Sequence, residues 1–123
     1  MSHDVDPEHA QRVVDAYLAA ISAGDVDAVM ALYAPEATVE DPVGSDVVVG
    51  APDVRVFYER ACAIPMKASA SGAARISGPE VAFPFVLDVA EGAMTIEVID
   101  AFRFDAAGRI VSMRAWWGPS TTR

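Results

Sequence analysis

The stretch Tyr33-Ala-Pro-Glu-Ala-Thr-Val-Glu-Asp-Pro42 decides how the rest of the chain is interpreted. If Ala37 to Asp41 form a strand, alternate side chains face opposite ways, so Val39 and Asp41 share one face. Val39 marks that face as apolar, which predicts that Asp41 points inward. Pro42 cannot donate to a sheet ladder and ends the strand. The sequence therefore predicts a carboxylate at a strand terminus, where a pocket can open.

The composition predicts one folded domain. The chain has 123 residues and is 53% hydrophobic and 22% charged, which is typical of a packed globular protein rather than a disordered one. We expect residues 1–123 to form a single domain with a flexible start over residues 1–6. The formal net charge is -9, which would repel nucleic acid and anionic lipid surfaces.

Cysteine content and hydropathy bear on the compartment. The single cysteine, Cys62, cannot form an intramolecular disulfide or a thiolate metal cluster, which is typical of a reducing compartment. The first residues lack the pattern of a signal peptide, and no apolar run approaches the ~20 residues of a membrane span. We therefore expect a soluble, cytoplasmic protein.

Three helices are predicted in the first half of the chain. The first begins near Pro7 and ends at Gly24, with an apolar face of Val13, Val14, Tyr17, Leu18 and Ile21. Asp25 can cap a second helix, which Pro35 ends and whose inward residues are Val26, Val29, Met30 and Tyr33. A turn at 42–44 and a short strand at Val47 to Val49 precede the third helix, which runs from Pro52 to Pro65. Its apolar stripe is Val54, Phe57, Tyr58, Ala61 and Cys62.

The second half of the chain alternates with a two-residue period and predicts strands. A weakly patterned strand lies near Lys67 to Ile76. A clearer one runs from Glu80 to Val89, where Pro84 predicts a bulge or an edge position. After a hairpin turn at 91–92, the next strand has one face made of Met94, Ile96, Val98, Asp100, Phe102 and Phe104. The last strand, after a turn at 105–108, directs Val111, Met113, Ala115 and Trp117 inward and Ile110, Ser112, Arg114 and Trp116 outward.

Two inward carboxyls are the chemical candidates. An ionised Asp100 among Met, Ile, Val and Phe would be costly. Either its strand is kinked so that it reaches solvent or a backbone amide, or it is a neutral acid that donates a hydrogen bond in a dry site. Asp41 alone would be read as an aspartate that caps a turn before proline. The presence of both favours a functional interpretation.

The remaining polar residues limit the chemistry. Tyr17, Tyr33 and Tyr58 lie on predicted buried helix faces, where a phenol serves in core packing or seeks a hydrogen-bond partner. His3 and His9 lie in the polar start, away from every predicted pocket wall. The sequence has no His or Cys cluster for a metal, no glycine-rich phosphate loop and no nucleophile elbow. Proton chemistry would have to use carboxyls and phenols.

These residues also carry a family resemblance over nearly the whole chain. The chain resembles the bacterial Δ5-3-ketosteroid isomerases of the nuclear-transport-factor-like, polyketide-cyclase-like superfamily. The similarity rests on the stretch from Tyr33 to Gly44 and on Val98-Ile-Asp-Ala-Phe-Arg-Phe-Asp105, together with shorter matches at 16–18, 24–28, 57–58, 84–85, 108–110 and 115–117. Residues 65–79 and the hairpin at 89–94 depart from the family pattern, so the pocket mouth is expected to differ.

The resemblance implies a role for each candidate residue. Asp41 would be the general base, with Tyr17 and a protonated Asp100 as the two oxyanion donors and Tyr33 and Tyr58 extending a hydrogen-bond chain. This enzyme type is itself the standard example of a carboxylic acid kept neutral so that it can donate a hydrogen bond. The expected apolar slot for a flat steroid consists of Phe83, Phe85, Leu87, Val98, Phe102, Met113, Ala115 and Trp117. No cofactor or metal is expected.

The resemblance further implies an α+β cone, with three N-terminal helices packed on a curved, mostly antiparallel sheet, and a homodimer formed through the outer sheet face. Two alternatives remain open. One is another reaction on the same scaffold, such as polyketide cyclisation or epoxide hydrolysis, which would be favoured by a pocket histidine or by Arg103 inside the cavity. The other is a noncatalytic dimeric module that binds apolar ligands.

Overall fold

The computed structural model describes the backbone of residues 3–122 and the side chains of residues 3–118. Three helices cover one face of a seven-stranded sheet, which confirms the predicted α+β cone. The helices are α1 Pro7–Ala23, α2 Val26–Met30 and α3 Ala51–Cys62. The strands are β1 Tyr33–Glu40, β2 Val48–Val49, β3 Met66–Ala70, β4 Arg75–Ser77, β5 Glu80–Val89, β6 Met94–Phe104 and β7 Ile110–Thr122.

The order of the strands brings the two predicted carboxyls near each other. Its strand order is β2-β1-β7-β6-β5-β3, with β4 paired to β5 beyond the end of β3. Every pairing is antiparallel except that of β1 with β7. Because β1 lies beside β7 and β7 beside β6, the end of β1 at Asp41 and the middle of β6 at Asp100 belong to neighbouring parts of one curved surface.

The helix ends follow from local side chains and glycine. Gly24 ends α1 with φ 65°, a left-handed conformation that glycine adopts without steric cost. Asp25 then caps α2 as predicted, because its carboxylate accepts a 3.0 Å hydrogen bond from the amide of Ala28. Within residues 3–122, none of the helices is long and apolar enough to cross a membrane.

The prediction for the end of α2 was wrong. The helix has five residues and stops at Met30, so Tyr33 and Pro35 belong to β1 rather than to the helix and its stop signal. Pro35 is tolerated there because the β1–β7 register shifts between Tyr33 and Thr38, which leaves the segment without a regular ladder. Tyr33 is nevertheless buried, as predicted.

The strand predicted near residues 67–76 is in fact two strands, β3 and β4, separated at residues 71–74. Pro84 of β5 lies opposite that break, since β3 reaches only Phe85 and β4 only Ala82. The Pro84 carbonyl accepts from the amide of Ser71, so its ring nitrogen also faces this side, where no ladder bond is lost. Pro84 thus occupies a local edge position, as predicted.

The prediction of which β7 side chains face inward was also wrong at the start of the strand. Ile110, predicted to face outward, is fully buried. The reason is a bulge, because Ile110 pairs with Phe104 while Ser112 pairs with Arg103, so Val111 is an extra residue. Beyond the bulge the predicted parity holds, and Met113 and Ala115 are buried in the core.

Residues 3–6, expected to be flexible, are attached to the sheet. The Val5 side chain is buried, and its amide donates to the carbonyl of Gly78. An imidazole nitrogen of His3 lies 2.9 Å from the carbonyl oxygen of Phe104. Apolar burial and backbone pairing thus connect these residues to the sheet; residues 1 and 2 lie outside the described part of the chain.

Candidate functional site

A cavity of about 990 Å³ opens between the concave face of the sheet and helices α1 and α3. This volume is at the upper end of the range of roughly 300–1,000 Å³ that is usual for small-molecule sites. Most of its wall is apolar. Tyr17 from α1, Asp41 after β1, Tyr58 from α3 and Asp100 from β6 are the polar side chains that reach its inner part. The fold thus brings both predicted carboxyls to one cavity.

Asp41 follows the last residue of β1 and is half-buried in the cavity wall. The peptide bond to Pro42 is cis. The indole nitrogen of Trp117 donates a 2.7 Å hydrogen bond to Asp41 Oδ1. Burial raises the pKa of Asp41, and the Trp117 hydrogen bond opposes that rise by favouring the carboxylate. One carboxylate oxygen is therefore held in place, while the other is available as a proton acceptor.

Asp100 lies in the middle of β6 with 2% of its surface exposed. Its register neighbours are Phe83 on β5 and Ala115 on β7, so no charged partner flanks it in the sheet. Within the described residues its carboxyl has no protein hydrogen-bond partner, and it lines the cavity. Burial, followed by the negative charge of Asp41, raises the pKa of Asp100 well above its ordinary value. An ionised carboxylate would be costly here, so these surroundings favour the neutral acid form of Asp100.

Three tyrosines from three different elements form a buried chain. The hydroxyls of Tyr17 and Tyr58 are 3.0 Å apart, and those of Tyr58 and Tyr33 are 2.5 Å apart. Burial raises the pKa of each phenol well above its ordinary value, so all three are neutral. If Tyr33 donates to Tyr58 and Tyr58 donates to Tyr17, the hydroxyl proton of Tyr17 is free to point into the cavity.

Aromatic packing fixes the position of Tyr17. Its ring makes edge-to-face contacts with Phe102 and Phe83, at centroid distances of 5.0 and 6.2 Å. Phe83 and Phe102 are themselves in contact and fully buried. Because these rings interlock, Tyr17 cannot rotate away from the cavity without disturbing the core.

The eight residues predicted to contact substrate fall into two groups. Phe85, Leu87, Val98 and Trp117 line the cavity. The other four are buried behind this wall, beneath Tyr17 and Asp100, and do not line the cavity: Phe83, Phe102, Met113 and Ala115. Face parity along a strand distinguishes inner from outer residues, but it does not distinguish a cavity wall from the core beneath.

The sequence prediction missed two features of the site. The hydrogen bond from Trp117 to Asp41 was not predicted, since it depends on the parallel pairing of β1 with β7 across 76 positions of sequence. The mouth of the cavity was also missed. It includes Val47, Val49, Val56 and Ile64, whose exposed apolar side chains could have been read as a pocket rim only with the fold in hand.

The histidines and the two arginines that would favour hydrolase or cyclase chemistry lie outside the cavity. His9 is hydrogen-bonded to the carbonyl of Gly108, and neither it nor His3 lines the cavity. Arg103 lies 4.0 Å from Glu80, and Arg114 lies 3.0 Å from Glu40, both outside the cavity. Among residues 3–122 no three His, Cys, Asp or Glu side chains converge in a metal-binding arrangement.

With this geometry established, comparison with known proteins identifies the family. The SnoaL-like domain family matches the chain over residues 14–113. The chain belongs to the SnoaL-like family. This membership confirms the nuclear-transport-factor-like fold that the motifs predicted.

Two relatives of this SnoaL-like protein are informative about chemistry. Over 105 residues it is 39% identical to a steroid Delta-isomerase of Nocardioides simplex, covering 84% of this chain and 85% of that protein. A solved structure of SalBIII, an epoxide hydrolase/cyclase-like enzyme described in pyran ring formation in the polyether salinomycin, has a TM-score of 0.86 at 26% identity. That match covers 96% of this chain and 98% of the other. The predicted resemblance to steroid isomerases is thus confirmed, on a scaffold that also supports hydrolase or cyclase chemistry.

Proposed function

We propose that this protein is a cofactor-independent steroid Δ5-to-Δ4 isomerase that acts on 3-oxo-Δ5-steroids. The observation that carries the proposal is that three groups with different chemistry reach one apolar cavity. The half-buried carboxylate of Asp41, which has one free oxygen, faces a space that the phenol of Tyr17 and the buried carboxyl of Asp100 also reach. The similarity to a steroid Delta-isomerase supports the choice of substrate class.

In the proposed reaction Asp41 is the general base. Its free oxygen takes a proton from C4 of the steroid, the C4–H electron pair forms the C3–C4 double bond, and the C3 carbonyl pair moves to oxygen. The product of this step is a dienolate. Asp41 then returns the proton to C6, the carbonyl forms again and the remaining double bond lies between C4 and C5. One residue thus acts first as base and then as acid, and no atom is gained or lost.

Tyr17 and Asp100 are the proposed oxyanion donors. The dienolate carries its negative charge on the C3 oxygen, and donors preset in a site with little water stabilise such charge more than they stabilise the neutral ketone. In the proposed order of donation, Tyr33 donates to Tyr58 and Tyr58 donates to Tyr17, so negative charge on the oxyanion is spread along the chain. Asp100 contributes the second proton because burial keeps it neutral.

The apolar wall is the proposed steroid slot. Phe85, Leu87, Val98 and Trp117 offer flat apolar surface to the rings. Phe83, Phe102, Met113 and Ala115, which lie behind this surface, are proposed to hold Tyr17 and Asp100 in position rather than to contact the bound steroid themselves.

The test is the ultraviolet absorbance of the conjugated enone formed from a 3-oxo-Δ5-steroid. Asp41→Asn should lower turnover by about 10²–10⁴-fold, the usual contribution of a general base, while retaining steroid binding. Asp46→Asn is the matched control, because Asp46 lies in the same loop but is exposed and outside the cavity. An active Asp41→Asn variant would refute the proposed base.

Hydrolase or cyclase chemistry of the SalBIII kind is the alternative raised by the fold. In such a site we would expect a pocket histidine or an arginine between two carboxylates. Arg103 and Arg114, the arginines that the sequence analysis considered, are paired with glutamates outside the cavity, and Arg60, which lines the cavity, is exposed at its rim. A noncatalytic binding module would bind steroid without proton exchange at C4, so incorporation of deuterium from heavy water at C4 distinguishes it from the isomerase.

We further propose that the protein is a homodimer formed through the outer sheet face. Ile99 and Trp116 are register partners on that face and are 46% and 41% exposed. Large apolar side chains placed side by side on a sheet surface favour association. Sedimentation equilibrium should give twice the chain mass for the wild type and a monomer for Ile99→Glu; a monomeric wild type would contradict the proposal.

A further inference from the structure

The mouth of the cavity carries an unusual share of exposed apolar surface. Seven large hydrophobic side chains are exposed among residues 3–118, and five of them line this cavity: Val47, Val49, Val56, Ile64 and Trp117. Trp117 is the second most exposed, at 57%, even though its nitrogen is bound to Asp41. Apolar area left in water is unfavourable, so an apolar extension of the ligand that covered this rim would gain binding energy.

Arg60 interrupts this apolar rim. It lies in the last turn of α3 and is the one arginine or lysine that lines the cavity among the described side chains. Its guanidinium has no ion-pair or hydrogen-bond partner among the described residues. Arg55, one turn and a residue earlier on the same helix, is by contrast bound to Asp27 at 2.8 Å. The guanidinium of Arg60 is therefore free to bind the part of a ligand that extends out of the cavity.

The proposed function fixes which end of a steroid reaches Arg60. Tyr17 and Asp100, the donors for the C3 oxygen, are 4% and 2% exposed and lie at the inner end of the cavity. The C17 position is at the opposite end of the four-ring nucleus from C3. Its substituent must then leave the core of the cavity and pass the exposed rim where Arg60 lies.

We propose that the preferred substrates are 3-oxo-Δ5-steroids with an alkyl side chain at C17 that ends in a carboxylate, and that Arg60 binds this carboxylate. The inference rests on the proposed isomerase function and refines its substrate class. The alkyl part covers the apolar rim, and the planar guanidinium donates two parallel hydrogen bonds to the carboxylate.

The charges around the cavity make binding of such an anionic substrate depend on Arg60. The chain has a net charge of -9, which opposes the approach of an anion. Asp53, the other charged residue at the rim, lies seven residues earlier on α3, about 10 Å along the helix axis. The negative end of the substrate is therefore repelled from the Asp53 side and directed toward Arg60.

The experiment compares matched substrates and variants. A 3-oxo-Δ5-steroid with a C17 side-chain carboxylate and its methyl ester are assayed by enone absorbance with wild type, Arg60→Met and Arg60→Lys. Arg60→Met should raise KM for the carboxylate about two- to fivefold, in line with exposed ion pairs, and leave KM for the ester and kcat for both unchanged. Arg60→Lys should recover part of the loss.

Arg55→Met is the matched control, because it removes an arginine from the same helix outside the cavity. A purely structural role of Arg60 at the helix end would change melting temperature but not the ratio of the two KM values. Equal KM values for acid and ester in the wild type would overturn the inference while the isomerase stands. Binding of the unreactive Δ4 acid, followed by tryptophan fluorescence in wild type and Arg60→Met, tests Arg60 even if neither Δ5 substrate turns over. In that case the proposed isomerase fails separately.

Discussion

Asp41 and Asp100 are the same residue type in the same cavity, yet their surroundings differ in two respects. Asp41 lies at the end of a strand, half-buried, with an indole N–H at 2.7 Å. Asp100 lies in the middle of a strand between Phe83 and Ala115, 2% exposed and without a hydrogen-bond partner in the described chain. The indole donor favours the carboxylate form of Asp41, whereas nothing in the surroundings of Asp100 opposes the carboxylic acid form.

In the proposed mechanism, this difference is what divides the acid and base roles in a site without histidine. The pKa of both groups is raised by burial, but only for Asp41 does a donor oppose the rise. The negative charge of Asp41 also raises the pKa of Asp100, so the ionisation of one carboxyl helps to keep the other neutral. Each difference can be removed by one substitution.

Of the two oxyanion donors, the neutral acid should have the larger effect on kcat when it is removed. Asp100→Leu leaves the dienolate oxygen with one donor fewer, which should lower kcat by the equivalent of about 2–4 kcal/mol, as for other oxyanion donors. KM should change little, because the interaction is strongest in the transition state. Stopped-flow enone absorbance gives both constants. A variant with unchanged kcat would show that Asp100 is only a buried residue of the core.

Substitutions along the tyrosine chain separate direct from indirect donation. Tyr17→Phe should lower kcat by about 10²-fold, since it removes a donor that faces the cavity. Tyr33→Phe removes only the far end of the chain and should cost about tenfold or less. The two variants are matched, because each deletes one buried hydroxyl. Equal losses would contradict the proposed order Tyr33, Tyr58, Tyr17.

Removing the indole donor should make Asp41 more like Asp100. In Trp117→Phe the hydrogen bond that lowers the pKa of Asp41 is lost, so burial acts alone and the pKa rises. Because the base must be ionised, kcat/KM falls as pH falls through that pKa, and the acid limb of its pH profile should move to higher pH. At neutral pH the loss should be about tenfold or less. Trp116→Phe on the outer face is the control, and an unmoved acid limb would contradict the role of Trp117.

The sequence predicts best those strands in which apolar and other side chains alternate regularly over many residues. The bounds of β5 were predicted without error, and the inward face of β6 was correct at every position from Val98 to Phe104. Ten or more residues of regular alternation allow one register only, because a shift by one residue would expose the whole apolar face. Asp100 stood out as a candidate for the same reason.

The sequence prediction was wrong where the repeating pattern of apolar residues is short or is interrupted by a bulge. Val26, Val29, Met30 and Tyr33 share helical spacing, but α2 has only five residues and Tyr33 begins a strand. The bulge at Val111 reversed the parity of Ile110. The Trp117–Asp41 bond and the mouth around Arg60 depend on how distant elements meet, which no local pattern encodes.

The most direct test of the division between the two carboxyls is a carbon-13 NMR titration of protein labelled at the aspartate side-chain carboxyl. The signals are assigned by their loss in Asp41→Asn and Asp100→Asn. We predict that at pH 7 the Asp41 signal has the chemical shift of a carboxylate and the Asp100 signal that of a carboxylic acid. An ionised Asp100 or a protonated Asp41 at pH 7 would contradict the assignment of base and donor.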